Sequence, residues 1–241
     1  MIPTVKERQA GAYDFRKYYE NLCALRNCSP LSVITSHVDN GVLDISADRI
    51  KTQEWDPVFD AIKINKSLHF IAVRSFYQYN SVSDSATSTN RRRPPILLSS
   101  SKLLLNLCKA LRHCACVTEK LTFLELQNLP LSKTGLLQIL IYDLFQQNPT
   151  TVGYDDHIGF QQGIRKNRTL KHLSFEGSSI NDDGLEEICR VLRHVPNIST
   201  LNLTSCNLSK DGISALTVLI NSLDWNSNPQ KNETTSIDSV P

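Results

Sequence analysis

The stretch Leu170-Lys171-His172-Leu173-Ser174-Phe175 is followed 28 residues later by Ile198-Ser199-Thr200-Leu201-Asn202-Leu203, with apolar and polar residues in the same order. Further positions after each stretch agree at the same offset. They pair Ser178 with Cys206, Ile180 with Leu208, Gly184 with Gly212, Leu185 with Ile213, Ile188 with Leu216, and Leu192 with Ile220. Because chance does not hold so many positions in register, residues 170–223 contain two copies of one structural unit.

The repeated pattern is L-x-x-L-x-L-x-x-N/C-x-L, which is typical of leucine-rich repeats. The alternation in Leu201-Asn202-Leu203 predicts a strand with one buried and one exposed side. Ile213, Leu216, Ile220 and Leu223 are spaced as the apolar stripe of a helix. Stacked units bury each other's apolar edges. The sequence therefore predicts an α/β fold: a ribonuclease-inhibitor-like leucine-rich-repeat solenoid with parallel strands on the concave face and helices on the convex face.

The same template recurs upstream and gives the extent of the solenoid, residues 41–224. Leu43 and Ile71 begin units that are 28 residues apart, and Leu124 begins a third. The steps from Ile71 to Leu124 and from Leu124 to Leu173 are longer, at 53 and 49 residues, so insertions are required. We predict loops at 79–101 and 141–162.

The two ends of the chain differ from the repeats. Apolar residues from Phe15 to Leu25 are spaced as one face of a helix, so residues 1–40 are predicted to form a helical cap over the exposed side of the first strand. Residues 225–241 are polar and without repeats, which predicts a disordered tail. The last repeat is then expected to expose its apolar flank.

Charge and cysteine content restrict the class of protein. The formal net charge of +2 gives no general attraction to nucleic acid or to anionic membranes. With no run of eighteen apolar residues and no leader-like start, we expect no membrane span and a cytosolic location, where the seven cysteines remain thiols.

No familiar catalytic motif is present, and an enzyme is not expected. His113-Cys114-Ala115-Cys116 with Cys108 is too weakly spaced for a zinc site, and we expect neither metal nor cofactor. The acidic residues at 181–183 and 209–211 are interpreted as caps of their own helices. Arg91-Arg92-Arg93 leaves open a nucleic-acid binder, which would bind with steep salt dependence, although a solvated loop is the simpler interpretation.

The remaining candidate for function is the inner wall of the solenoid, where side chains between the repeat leucines point outward. Mixed polarity with an aromatic group is typical of protein-docking surfaces. The residues predicted to contact a partner are Arg74, Phe123, Glu125, Gln127, Lys171, His172, Glu176, Asn202 and Thr204.

Several ordered motifs support a more specific resemblance, over about residues 5–224. They are Phe15-x-x-x-Tyr19-x-x-Leu22-Cys23-Ala24-Leu25, Gly41-Val42-Leu43-Asp44, Ala47-Asp48-Arg49, Trp55, Ile64-Asn65-Lys66-x-Leu68, Leu107-Cys108-Lys109-Ala110-Leu111-Arg112 and the two repeats that end at Leu223. Together they resemble the N-terminal leucine-rich-repeat part of the seventy-eight-kilodalton centrosomal protein family, in a shortened form.

The resemblance implies a non-enzymatic scaffold of the centrosome, the centriole and the basal body of the cilium, within the cytoplasm and cytoskeleton. It implies a role in centriole regulation and primary cilium assembly through protein partners, including ubiquitin-ligase components. It implies no small-molecule substrate. The alternative is a cytosolic leucine-rich-repeat adaptor or inhibitor of ubiquitin-ligase machinery that is not located at the centrosome.

Overall fold

The computed structural model describes residues 13–77, 96–131, 168–192 and 197–222. Five strands lie in these ranges: β1 (Val42–Ser46), β2 (Phe70–Arg74), β3 (Phe123–Gln127), β4 (His172–Ser174) and β5 (Thr200–Asn202). The helices are α1 (Phe15–Leu25), α2 (Ser32–Thr35), α3 (Trp55–Ile64), α4 (Ile96–Ser99), α5 (Ser101–Val117), α6 (Asn181–Leu192) and α7 (Lys210–Ser222). Helix α3 lies between β1 and β2, α4 and α5 lie between β2 and β3, and α6 lies between β4 and β5.

The strands form one parallel sheet in chain order, β1-β2-β3-β4-β5. The first repeat leucine or isoleucine of each strand pairs with the next, in the order Leu43, Ile71, Leu124, Leu173 and Leu201. The predicted α/β leucine-rich-repeat fold is confirmed. The pairing is the same across the 28-residue steps and the two longer ones, so the extra residues do not shift the register.

Hydrogen bonds between units continue beyond the strand ends. The backbone carbonyl of the residue before each of the first four strands accepts two N–H groups from the next unit. Gly41 accepts from His69 and Phe70, and His69 accepts from Thr122 and Phe123. Thr122 and Lys171 repeat the arrangement further along the chain. Each unit therefore satisfies the backbone of its neighbour, as a stacked repeat requires.

The core lies between the sheet and the helices. Leu43, Ile45 and Ile71 on the strands are fully buried, and Trp55 on α3 stacks on Phe59 with ring centroids 5.3 Å apart. Helix α3 packs against α5, and α6 packs against α7. Stacked strands and stacked helices thus share one continuous apolar interior.

The N-terminal cap differs from expectation in what it covers. Helix α1 begins after Asp14, whose carboxylate accepts the backbone N–H of Lys17 at 3.1 Å. Its buried residues Phe15, Tyr19 and Cys23 face the core, and the helix packs mainly on α3. The short helix α2 packs on β1 instead. The cap is therefore divided: α1 covers the first helix and α2 covers the first strand.

The prediction of a loop at 79–101 is wrong at the C-terminal end of that range. Residues Ile96–Ser99 form α4, with Leu97 and Leu98 buried, and α5 begins at Ser101 after the capping hydroxyl of Ser100. The burial of the apolar side chains of Leu97 and Leu98 in the core stabilises this helix. Most of that loop, the loop at 141–162 and the tail at 225–241 lie outside the described residues.

The interpretation of Asp182 as the cap of its own helix is also wrong. Its carboxylate accepts the backbone N–H of Ser209 at 2.8 Å and the Ser209 hydroxyl at 2.5 Å, both in the next unit. These two bonds lower the pKa of Asp182 below its usual value. A Cβ atom on Gly212 would stand 2.3 Å from Asp182 Oδ1. The carboxylate thus joins two units at the start of α7, where only glycine leaves room for it.

Candidate functional site

The side of the sheet turned away from the helices forms a continuous surface, which we call the open face. Because side chains alternate along a strand, the residues next to the buried leucines share this side. The register arranges them in three rows across the sheet. The rows are Val42, Phe70, Phe123, His172 and Thr200; Asp44, Ala72, Glu125, Ser174 and Asn202; and Ser46, Arg74 and Gln127, followed by Glu176 and Thr204 just beyond β4 and β5.

The first row contains a line of stacked rings, the aromatic row, formed by Phe70, Phe123 and His172. The Phe70 and Phe123 rings stack with centroids 4.5 Å apart, and the Phe123 and His172 rings lie 5.6 Å apart in a tilted arrangement. His172 Nδ1 lies 2.9 Å from the Thr200 hydroxyl, which fixes the ring at that end. All three rings are half-buried. They therefore present apolar area that a partner could cover without much loss of side-chain entropy.

A charged cluster centred on Arg74 occupies the other rows of the first three units. The Arg74 guanidinium donates to both oxygens of Glu125, at 2.7 and 3.0 Å, and also to Asp44. The hydrogen bonds that Arg74 donates to Glu125 and Asp44 raise the pKa of Arg74 above its usual value. The Glu125 side chain is only 12% exposed, so this bidentate pair is well shielded from water. Arg74 holds three strands together through their side chains.

Glu176 is held differently, because its hydrogen bonds come from neutral amides. Gln127 Nε2 lies 3.5 Å from Glu176 Oε1, and Asn202 Nδ2 donates to Glu176 Oε2 at 3.2 Å. Asn202 in turn accepts the backbone N–H of Thr204 at 3.0 Å. The Glu176 carboxylate is thus fixed in position on the open face, with no cation among its described hydrogen-bond donors.

The structure brings eight of the nine predicted contact residues together on the open face. Arg74, Phe123, Glu125, Gln127, His172, Glu176, Asn202 and Thr204 all belong to the three rows. Lys171 does not: it stands one residue before β4, at the edge where the strands begin, with an exposed side chain. The assignment of Lys171 to the inner wall is wrong, because the alternation that places side chains on that wall starts at His172.

The predicted contact residues omit two residues of the open face that bond to or stack on predicted ones. Phe70 stacks directly on Phe123, and Asp44 completes the partners of Arg74. The signal for Phe70 was present, since it precedes Ile71 as Phe123 precedes Leu124. Nothing in the sequence indicated that Arg74 would bond to Asp44 and Glu125 at once.

The cysteine cluster of α5 does not have the character of a reactive site. Burial raises the pKa of the Cys108 and Cys114 thiols to about 12, so both stay protonated. Across residues 13–77, 96–131, 168–192 and 197–222, no three His, Cys, Asp or Glu side chains are grouped as a metal ion would require. None of the helices within those ranges is long and apolar enough to cross a membrane.

Comparison with known proteins agrees with this architecture. A family model described as Leucine Rich repeat matches residues 166–189 and 194–216. Centrosomal protein of 78 kDa from Homo sapiens is 34% identical over 215 residues, which cover 88% of this chain and 28% of that protein. The Mus musculus protein of the same name is 31% identical over 220 residues, covering 88% of this chain and 25% of its own length.

A more distant relative extends the same similarity. Protein Cep78 homolog from Drosophila melanogaster is 23% identical over 220 residues, which cover 88% of this chain and 24% of that protein. The chain therefore spans about a quarter of the length of the curated relatives it matches. Since the similarity covers the cap and the repeats alike, the chain is a leucine-rich-repeat protein related to the seventy-eight-kilodalton centrosomal protein family.

Proposed function

We propose that the chain is a non-enzymatic protein-interaction module of the centrosome and centriole, which binds its partners on the open face of the sheet. In this proposal it acts in centriole regulation and primary cilium assembly, at the centrosome and the basal body. Ubiquitin-ligase components are the first partners to test.

The arrangement of the open face is the observation that carries the binding part of the proposal. The aromatic row and the fixed carboxylates lie side by side on the first four strands of one parallel sheet. Rigid scaffolds that present half-buried aromatic groups among oriented polar groups suit protein recognition. The names of the relatives, which are centrosomal proteins, support the location.

The location is tested by expressing the tagged chain in ciliated cells and measuring its overlap with a centriole marker. We expect concentration at the centrioles. An even distribution through the cell would contradict the centrosomal location and favour the adaptor or inhibitor of ubiquitin ligation as the alternative.

The binding surface is tested with a double variant of the open face, Phe123→Ala with Glu176→Lys. The matched control is Leu25→Ala with Glu186→Lys, which combines the truncation of a large apolar side chain with the same charge reversal at exposed positions on α1 and α6. Both should keep the circular dichroism spectrum of the wild type. We expect the open-face variant to lose centriolar concentration and capture of ubiquitin-ligase components, while the control keeps both. Equal behaviour of the two variants would contradict docking on this face.

A further inference from the structure

We propose that the open face receives an extended protein segment whose basic side chain binds at Glu176 and whose apolar side chain packs on the aromatic row. This inference rests on the proposed function, since it specifies the chemistry of the partner that the same face would bind.

The charges of the open face favour a basic partner. Its rows contain the carboxylates of Asp44, Glu125 and Glu176 but only one guanidinium, that of Arg74. Arg74 is already engaged by Asp44 and Glu125. Glu176 is left with amide donors from Gln127 and Asn202, which orient the carboxylate without neutralising it. An incoming ammonium or guanidinium would therefore meet a carboxylate that is already fixed in position.

The position of the rings specifies the second contact. Glu176 follows His172 by four residues, and at about 3.3 Å per residue the two rows lie roughly 13 Å apart. An extended segment spans that distance in about four residues. A basic residue and an aromatic residue four positions apart therefore match the two features at once.

The same surface disfavours an acidic partner. An acidic side chain near Glu176 would meet a like charge in a half-buried setting, which costs binding energy. Lys171 provides a cation, but it lies at the opposite edge, where the strands begin. Glu176 lies just beyond the C-terminal end of β4, so a bound segment would place its basic residue at that end of the strands.

Short fluorescent peptides test the inference on the full chain. The probe is Arg-Ser-Thr-Ser-Trp-amide with a dye attached to its N-terminus through a Gly-Gly linker, compared with one equally labelled peptide in which Glu replaces Arg and another in which Ser replaces Trp. Fluorescence anisotropy at low salt should show at least about threefold tighter binding of the probe than of either comparison peptide. Equal binding of the three peptides, or no binding of the probe at millimolar protein, would overturn the inference.

Two single variants locate the basic contact. Glu176→Gln removes the charge but keeps an amide that can bond to its neighbours, and Glu186→Gln removes the same charge from exposed α6. We expect Glu176→Gln to weaken the probe about threefold or more and Glu186→Gln to leave it unchanged. Equal affinities for the two variants would overturn the site. If the open-face double variant loses binding to its partners while the peptide probe shows no preference for a basic residue, only this inference fails, and docking on the open face still holds.

Discussion

The first two units and the last two units of the ladder have the same pattern but different burial. In the first region α3 lies between α1 and α5, and both Leu43 and Ile71 are fully buried. In the last region Leu185 on α6 is fully buried, whereas Ile213, its equivalent on α7, is 39% exposed. Leu201 is only half-buried. A repeat residue is therefore buried by the unit that follows it, and the sequence of its own unit does not determine its exposure.

Truncating these two equivalent side chains, which belong to neighbouring units of the last region, should give the largest difference in stability. Leu185→Ala leaves a cavity between α6 and α7, so we expect it to lower the free energy of unfolding by about 2 to 5 kcal/mol. Ile213→Ala removes a partly exposed side chain and should cost about 1 kcal/mol or less. Urea unfolding of the full chain measures both. Similar costs for the two variants would mean that α7 does not cover Leu185 as described.

The Arg74 cluster should show how side chains stabilise the first region. Glu125→Gln removes a bidentate partner whose side chain is 12% exposed, and we expect a loss of about 1 to 2 kcal/mol in unfolding free energy. Asp44→Asn is the matched control, because its side chain is 41% exposed and it makes a single contact with Arg74. Its cost should be smaller. A larger cost for Asp44→Asn than for Glu125→Gln would contradict the assignment of Glu125 as the main partner.

Gly212 tests the contact between the last two units through a double-mutant cycle. Alanine is the better helix former, yet here its Cβ would displace the Asp182 carboxylate from Ser209. We therefore expect Gly212→Ala to raise the melting temperature in an Asp182→Ala background and to raise it less, or lower it, in the wild type. Thermal melts of the four proteins give the coupling. Equal effects in the two backgrounds would show that Asp182 and Gly212 do not compete for space.

The pH dependence of stability should give the smallest effect, since Asp182 lies at the surface. Its folded pKa is lowered from 3.8, so its contribution is complete above the unfolded pKa and is lost as the pH falls through the folded pKa. Asp182→Asn should remove the contribution of Asp182 to the loss of folding stability in acid. Melting temperatures between about pH 5 and pH 2 measure the difference from the wild type. Parallel pH curves for the two proteins would contradict the lowered pKa.

The strand ladder could be predicted because its cause is local. Leu43, Leu124 and Leu173 follow one short pattern, and the strands that carry it pair in the same register. The cap helix was predictable for the same reason, because apolar residues recur on one face at each consecutive turn. What the cap covers was not predictable, because that depends on how α1 and α2 are placed in three dimensions.

Contacts between units were harder to predict than the units themselves. Asp182 resembles the cap of its own helix in sequence, but stacking places Ser209 of the next unit beside it. In sequence, Lys171 resembles a residue of the inner wall. The structure starts β4 only at His172, which places Lys171 at the edge of the sheet. Phe70 could have been found by extending the row of residues that precede the repeat leucines. Such errors occur where the contacts of a side chain depend on the distance between units in space and not on the spacing of residues along the chain.

The constant register across unequal connections has a practical consequence for protein engineering. Strands β2 and β3 are in register although Ile71 and Leu124 are 53 residues apart, nearly twice the 28-residue step from Leu43 to Ile71. The strands themselves therefore set the pairing, and a chain engineered with connections of other lengths between these strands should keep the same register.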